Sequence, residues 1–144
     1  MQQPKIFGAY LDRTVKQIRQ NYVRVFKEIG VDLTTEQWVL LDNLYQNNGI
    51  SQNELAQSNF KNAPTVSRII DLLCQKGLTE RQRFDNDRRR YKIFMTEQGK
   101  AVYEKALPAV LALRQQGWKG LTEQDYADLI RIVNQIFDNY EEMK

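Results

Sequence analysis

The sequence contains no histidine and only one cysteine, Cys74. Histidine is the commonest general base and a frequent metal ligand near neutral pH, so its absence disfavours most acid–base and metal-assisted catalysis. A lone cysteine cannot form an intramolecular disulfide, and it would supply only one soft ligand to a zinc ion. We therefore expect a cytoplasmic protein that is not an enzyme and holds no metal or cofactor.

Long apolar runs and phosphate-binding loops are also missing. No segment approaches the roughly 18 consecutive apolar residues of a membrane span, and the N-terminal residues do not have the pattern of a secretory signal. No glycine-rich phosphate loop of either common spacing occurs. With 144 residues, of which 42% are hydrophobic and 27% charged, the chain fits one compact globular domain.

Helical periodicity marks both ends of the chain. From Ile6 to Ile29 apolar residues recur at three- and four-residue spacing, which predicts a long first helix. At 1.5 Å per residue this helix would span about 36 Å, so part of its apolar stripe is expected to pack on another chain. Ala101 to about Leu113 predicts a second long helix, which Pro108 should bend or interrupt. Thr122 is expected to cap a final helix.

The middle of the chain predicts shorter helices with clear start signals. A capping box at residues 34–37 starts one helix, which ends at Asn47-Asn48-Gly49. A second capping box, at residues 51–54, starts the next helix. A third helix begins near Asn62 or Ala63, with Pro64 in its first turn, where the missing N–H costs little. Two helices joined by a turn in this way form a helix-turn-helix pattern.

A basic hairpin is expected directly after these helices. Leu78 to Phe84 and Tyr91 to Met95 alternate as strands around an Asp-Asn-Asp turn, and Thr96 is expected to cap the following helix. The net charge is only +3, but residues 76–92 carry +4 and residues 122–144 carry −4. Arginines on a hairpin beside a helix-turn-helix predict contact with a DNA minor groove, where the potential is most negative.

In this order of elements the sequence resembles the MarR family of bacterial transcriptional regulators, which are winged helix-turn-helix proteins. The resemblance covers essentially the whole chain. The matching motifs run from the first capped helix to the end of the hairpin, which is the wing: Leu33-Thr34, Gln37-Trp38, Ser51-Gln52-Asn53-Glu54-Leu55-Ala56, Thr65-Val66-Ser67-Arg68-Ile69-Ile70-Asp71-Leu72-Leu73, Lys76-Gly77-Leu78, Asp87-Arg88-Arg89-Arg90 and Met95-Thr96-Glu97-Gln98-Gly99. Two positions depart from the family pattern: Pro64 replaces a small or polar residue, and Met95 replaces a leucine.

The resemblance implies a mainly α fold in a single domain of residues 1–144. Residues 32–99 would form the winged helix-turn-helix DNA-binding lobe, and residues 1–31 and 100–144 would form helices that mainly dimerise. The implied function is that of a homodimeric, sequence-specific repressor on a pseudo-palindromic operator in double-stranded DNA, relieved by a small-molecule effector. An activator role stays open. So does a winged-helix module that binds an acidic protein partner through the same charges.

The implied DNA-binding residues lie on the two helices of the helix-turn-helix and on the wing: Ser51, Gln52, Asn62, Thr65, Ser67, Arg68, Asp87, Arg88, Arg89 and Arg90. Arg68 would pair with a guanine edge, while Thr65 and Ser67 equally suit helix capping. Ser51 and Gln52, at the start of the preceding helix, would offer backbone N–H groups to a phosphate.

Within the wing the resemblance separates the roles of neighbouring residues. Asp87 would receive a hydrogen bond from a nearby arginine and hold the loop, since a carboxylate repels phosphate. Arg89 would enter the minor groove, with Arg88 and Arg90 on the flanking phosphates.

A small aromatic or phenolic effector is also implied by the resemblance. Tyr10, Tyr22, Trp38 and Tyr45 are candidates to line its pocket, although these aromatic residues suit an ordinary core as well. Cys74 suggests an oxidant sensor, but no second cysteine and no group that would lower its pKa is evident, so an inert, partly buried thiol is expected.

Overall fold

The computed structural model describes residues 3–59 and 61–144, and these residues form helices and one β-hairpin. The elements in chain order are α1 (Gly8–Glu28), α2 (Thr35–Gln46), α3 (Gln52–Ser58), α4 (Ala63–Gln75), β1 (Thr79–Phe84), β2 (Asp87–Met95), α5 (Glu97–Gly117) and α6 (Glu123–Glu141). The mainly α architecture with a two-stranded wing, expected from the sequence, is confirmed. The chain divides into two compact units, one up to Val110 and one from Leu111 onward.

The helix starts follow local capping chemistry. Thr34 and Thr122 each form a complete capping box. The threonine hydroxyl accepts a hydrogen bond from the backbone N–H three residues later, and the side chain of that later residue accepts one from the threonine N–H. Ser51 accepts a hydrogen bond from the backbone N–H of Glu54 at 3.1 Å, and Asn62 accepts from that of Thr65 at 2.9 Å. Each of these caps supplies a partner for a backbone donor that the first helical turn leaves unpaired.

The core of the first unit is built from residues of five helices and one wing strand. Its largest fully buried side chains come from α1, α2, α3, α4, β2 and α5: Phe26, Trp38, Leu40, Leu41, Leu44, Leu55, Val66, Ile70, Leu73, Ile93, Tyr103 and Val110. Burial of these apolar side chains, each contributing about 1.5–3 kcal/mol, holds one face of α4 against the core. The opposite side of α4 is thereby left on the surface.

The wing strands pair antiparallel, with Thr79 opposite Met95 and Arg83 opposite Tyr91. The register shifts between Arg83 and Phe84, so that Phe84 pairs with Asp87. A strand therefore already begins at Asp87, and the three arginines after it lie within β2. The sequence had placed them at a charged tip; in the structure they form the bulge of β2 and have no partner residue in β1.

Thr96 joins the wing to α5, as its predicted capping role requires. Its hydroxyl accepts a hydrogen bond from the Gly99 N–H at 3.0 Å and donates one to the Gly77 carbonyl at 2.7 Å. A Cβ atom at Gly99 would lie only 2.1 Å from the backbone oxygen of Leu78. This glycine therefore lets the helix approach the start of β1 closely.

Helix α5 is longer than predicted and is not interrupted at Pro108. It begins at Glu97 and runs without interruption through Pro108 to Gly117. Ala106 and Val110 are fully buried on either side of the proline. Burial of these neighbours outweighs the single backbone hydrogen bond that a proline removes, so the expected interruption does not occur.

Two helices leave apolar side chains exposed within their own units. In α1 the stripe is buried at Phe26, but Leu11, Val15 and Ile18 are exposed. Helix α6 has no buried residue, although it is strongly amphipathic; its exposed apolar side chains are Tyr126, Leu129, Ile130, Ile132, Val133, Phe137 and Tyr140. None of the helices in the described part of the chain is long and apolar enough to cross a membrane.

Candidate nucleic-acid interface

Helix α4 buries one face in the core, and the other face of its first turns is exposed to solvent. Val66, Ile69, Ile70 and Leu73 lie in the core at helical spacing, which turns Asn62 and Arg68 to the surface. Thr65 and Ser67 are half-buried. The exposed start of α4 follows α3 directly in the helix-turn-helix order, so it has the shape of an element that can enter a major groove.

Arg68 lies at the edge of a surface cleft. The cleft is also lined by Arg19 of α1 and by residues 34–37 at the start of α2. Asn62 uses its side-chain oxygen to cap α4, and the donor it satisfies is the Thr65 backbone. Among the α4 candidates, Arg68 is therefore the one with an exposed cationic side chain, and Asn62 and Thr65 take part in building the helix start.

Ser51 and Gln52 both form hydrogen bonds with other residues of the protein. Ser51 is only 5% exposed; its hydroxyl caps α3, and its backbone pairs with Lys92 in an isolated β-bridge. The side-chain oxygen of Gln52 accepts a hydrogen bond from Nε of Arg81 at 3.1 Å. Helix α3 and the wing are thus joined directly, and Ser51 has the capping role that its position in the sequence predicts.

Arg81 was not among the predicted site residues, yet its side chain forms hydrogen bonds with residues of both α3 and α4. Its Nη1 donates to Asp71 at 2.5 Å, and its Nη2 donates to the Ser67 carbonyl at 2.9 Å and approaches the Ser67 hydroxyl at 3.4 Å. The guanidinium carbon also lies 5.7 Å from the ring centroid of Tyr91, within the range of a cation–π contact. The only available sequence signal was an arginine at an alternating strand position.

The wing arginines are exposed and lie in the bulge of β2. They stand between Asp87, which pairs with Phe84, and Tyr91, which pairs with Arg83. Arg90 and Lys92 lie 4.2 Å and 5.0 Å from the Phe84 ring centroid. In the described part of the chain, no carboxylate forms an ion pair with residues 88–90, which leaves these cations available to an anionic partner.

Asp87 stabilises the wing by a hydrogen bond inside it. Its carboxylate oxygen accepts a hydrogen bond from the backbone N–H of Arg89 at 2.9 Å. The donor is the backbone amide of this arginine, whereas the resemblance had only implied a neighbouring arginine. An acceptor two residues before its donor is a common way for aspartate to order a turn.

The predicted effector-lining aromatics are brought together only in part. Trp38 stacks on Tyr103 at a centroid distance of 4.8 Å, and Tyr45 stacks on the same ring at 4.3 Å. Tyr22 packs edge-on against Phe26, which lies 6.0 Å from Trp38. Trp38 is 1% exposed, and its indole N–H has no hydrogen-bond partner among the described residues.

Tyr10 does not join this aromatic cluster. It is 59% exposed and lies 5.2 Å from the Arg13 guanidinium. Twelve residues separate it from Tyr22 along α1, which corresponds to about 18 Å of helix at 1.5 Å per residue. Cys74 is half-buried, with its sulfur 3.3 Å from the Thr79 hydroxyl.

The comparisons with known proteins agree with this geometry. Residues 31–90, from the end of α1 into the wing, match the model of the MarR family. The chain is 28% identical over 132 residues to the HTH-type transcriptional repressor IacR of Pseudomonas putida, covering 92% of this chain and 78% of that protein.

Solved structures of similar fold include one bound to DNA and one bound to a small ligand. The S. aureus MepR–DNA complex has a TM-score of 0.79 at 25% identity, covering 94% of this chain and 99% of that one. PcaV from Streptomyces coelicolor, in complex with its natural ligand, has a TM-score of 0.77 at 19% identity, covering 96% and 98%. Together with the match over residues 31–90, these likenesses show that the chain is similar to MarR-family transcriptional regulators in sequence and in fold.

Proposed function

We propose that this regulator binds a specific site in double-stranded DNA as a homodimer and represses transcription there. The observation that carries the proposal is the exposed arginine run of β2, unpaired among the described residues, in the same compact unit as the exposed start of α4. The repressor role of the similar IacR supports the direction of regulation. Because the bacterial chromosome is cytoplasmic, the proposal includes a cytoplasmic location.

In the proposed complex, α4 enters the major groove and the wing lies along the adjacent minor groove. Arg68 reaches a guanine edge by leaving its surface cleft, since an arginine fork can pair with O6 and N7. Arg89 enters the minor groove, and Arg88 and Arg90 bind the flanking phosphates, which contribute affinity without reading sequence. Asp87 keeps the Arg89 backbone in place through its hydrogen bond.

Homodimer formation is supported separately by α1 and by α6. Each helix has an apolar face that its own unit leaves exposed, and contiguous exposed apolar faces mark association surfaces. A two-fold dimer presents two copies of α4, so its operator is pseudo-palindromic, with half-sites about one helical turn apart.

The dimer is tested by placing a charge on the apolar face of α6. Phe137→Glu should shift the protein from dimer to monomer in sedimentation equilibrium, because a carboxylate cannot be buried unpaired at low cost. Gln135→Glu adds the same charge on the polar side of the same helix and should remain dimeric. A dimeric Phe137→Glu protein would contradict the proposed role of α6.

Relief by a small aromatic or phenolic effector is part of the proposal. The aromatic cluster of Tyr22, Trp38 and Tyr45 supports it, and Trp38 has an indole N–H that could donate to a ligand. The similar PcaV was solved with its natural ligand. A panel of phenols added to the protein–DNA complex should include at least one that releases the duplex; release by none would remove the effector from the proposal.

The DNA proposal is tested by selecting bound duplexes from a random pool and titrating salt against a random duplex. An enriched palindrome, with weak and steeply salt-dependent binding to random sequence, is the expected result. Absence of both would instead favour a winged-helix module that binds an acidic protein through the same arginines.

A further inference from the structure

Arg81 occupies the point where three parts of the DNA-binding surface meet. It belongs to β1, and its guanidinium contacts Gln52 of α3, Ser67 and Asp71 of α4, and the Tyr91 ring of β2. Its side chain is only 21% exposed. Since its N–H groups already face protein acceptors, Arg81 is poorly placed to neutralise a phosphate itself.

The contacts of Arg81 determine which groups its neighbours present to the outside. Gln52 turns its side-chain oxygen to Arg81, so its amide NH₂ is directed away from the guanidinium. The Ser67 hydroxyl oxygen lies 3.4 Å from Nη2, which leaves the hydroxyl proton free to turn outward. Both residues are thereby oriented as hydrogen-bond donors, and the acceptors on DNA are phosphate oxygens and the base atoms N7, O6 and O4.

We propose that Arg81 is a positioning residue for operator recognition. It holds the first residue of α3, the middle of α4 and the wing strand in one arrangement, and it keeps Gln52 and Ser67 oriented as donors. It does so without contacting DNA. The inference rests on the proposed DNA-binding function and adds to it a residue that determines specificity.

The geometry requires an arginine fork rather than a positive charge alone. The three acceptor residues are reached by Nε, Nη1 and Nη2 separately, in directions fixed by the planar group. A lysine has a single ammonium on a flexible stem and cannot span these directions at once. Arg81→Lys therefore separates the effect of geometry from the effect of charge.

The experiment compares wild type, Arg81→Lys, Arg81→Gln and Arg83→Gln on two duplexes, one selected from a random pool and one random. Arg83 is the matched control, because it lies on the same strand face and 5.9 Å from the same Tyr91 ring but is exposed. Dissociation constants are measured by fluorescence anisotropy over a range of salt. Thermal unfolding establishes that each variant is folded at the assay temperature.

For both Arg81 variants we expect at least a tenfold loss of preference for the selected duplex. The salt slope on random duplex should stay at the wild-type value, because no phosphate contact is lost; each lost contact would lower it by about 0.9. Arg83→Gln should keep the preference. A variant that is merely less stable would lose affinity for both duplexes by the same factor. The ratio of the two dissociation constants would then stay at the wild-type value.

The outcomes distinguish this inference from the function on which it rests. If wild type enriches no sequence, both the proposed function and the role of Arg81 are refuted. If wild type prefers its selected duplex and Arg81→Lys prefers it equally, the positioning role alone is refuted. A reduced salt slope for Arg81→Gln would also overturn it, since Arg81 would then contact phosphate directly.

Discussion

Replacing Gly99 with alanine should disturb the junction between the wing and α5. The added Cβ would lie 2.1 Å from the Leu78 carbonyl oxygen and 3.0 Å from Cγ of Met95. Real Cβ contacts are essentially never shorter than 3.0 Å, so the helix and the strand start must separate by at least 0.9 Å. The carbonyl cannot simply turn aside, because it also accepts the Thr96 N–H at 3.1 Å.

The magnitude follows from these contacts. Overpacking of a tight site costs about 1–3 kcal/mol. Separation also weakens the hydrogen bonds of Thr96, each contributing about 0.5–1.5 kcal/mol. The higher helix propensity of alanine offsets about 1 kcal/mol of this loss in the free energy of unfolding. We therefore expect Gly99→Ala to lower the free energy of unfolding by about 2–4 kcal/mol, a large share of the typical total of about 5–15 kcal/mol.

Urea denaturation followed by circular dichroism, at one fixed protein concentration, measures this change. Gly117→Ala is the matched control, because it lies in the same helix with nothing within 4 Å of its added Cβ. It should be neutral or more stable by up to about 1 kcal/mol. Equal stability of the two alanine variants would refute the argument that Gly99 is required by close approach.

Other perturbations test the wing, the start of α4, the core and the thiol. Arg89→Ala should weaken binding to random duplex and lower the salt slope by about 0.9 per wing, and an unchanged affinity and slope would refute its placement in the minor groove. Asn62→Ala should destabilise the protein by about 1 kcal/mol through loss of the cap, whereas Asn62→Gly should cost only a few tenths. Tyr103→Phe should cost about 1–2 kcal/mol in urea denaturation, because it loses the 2.5 Å hydrogen bond to Asp42; no change would mean that this bond adds nothing to folding. Peroxide should leave DNA binding by the wild type unchanged; a loss that Cys74→Ser prevents would identify the thiol as a sensor.

The elements that could be predicted from the sequence depend on neighbouring residues. Thr34, Ser51, Asn62 and Thr122 all cap the helices they were expected to cap, because a capping bond links side chain and backbone only three residues apart. The wing follows in the same way from strand alternation and a short turn. Pro108 does not interrupt α5, because burial of the residues around it, which no local pattern reports, keeps the helix continuous.

The roles within the candidate site were less predictable. Ser51 was assigned both to the cap of α3 and to DNA; it is 5% exposed, and its hydroxyl forms the cap. Gln52 was assigned to DNA through the backbone N–H groups at the start of α3, and Ser67 through its place in the first turns of α4. The structure adds that each faces Arg81, which changes what each can offer to a partner.

The sequence by itself determined the order of the helices, their capped starts and the helix-turn-helix. It also determined that the hairpin is basic, although the net charge of the chain is only +3. Each of these depends on spacing within a few residues. Only the tertiary structure decided which polar groups meet across the DNA-binding surface. Arg81 contacts Gln52 from 29 residues away and Ser67 from 14, and such contacts exist only once the core has set α3, α4 and the wing side by side.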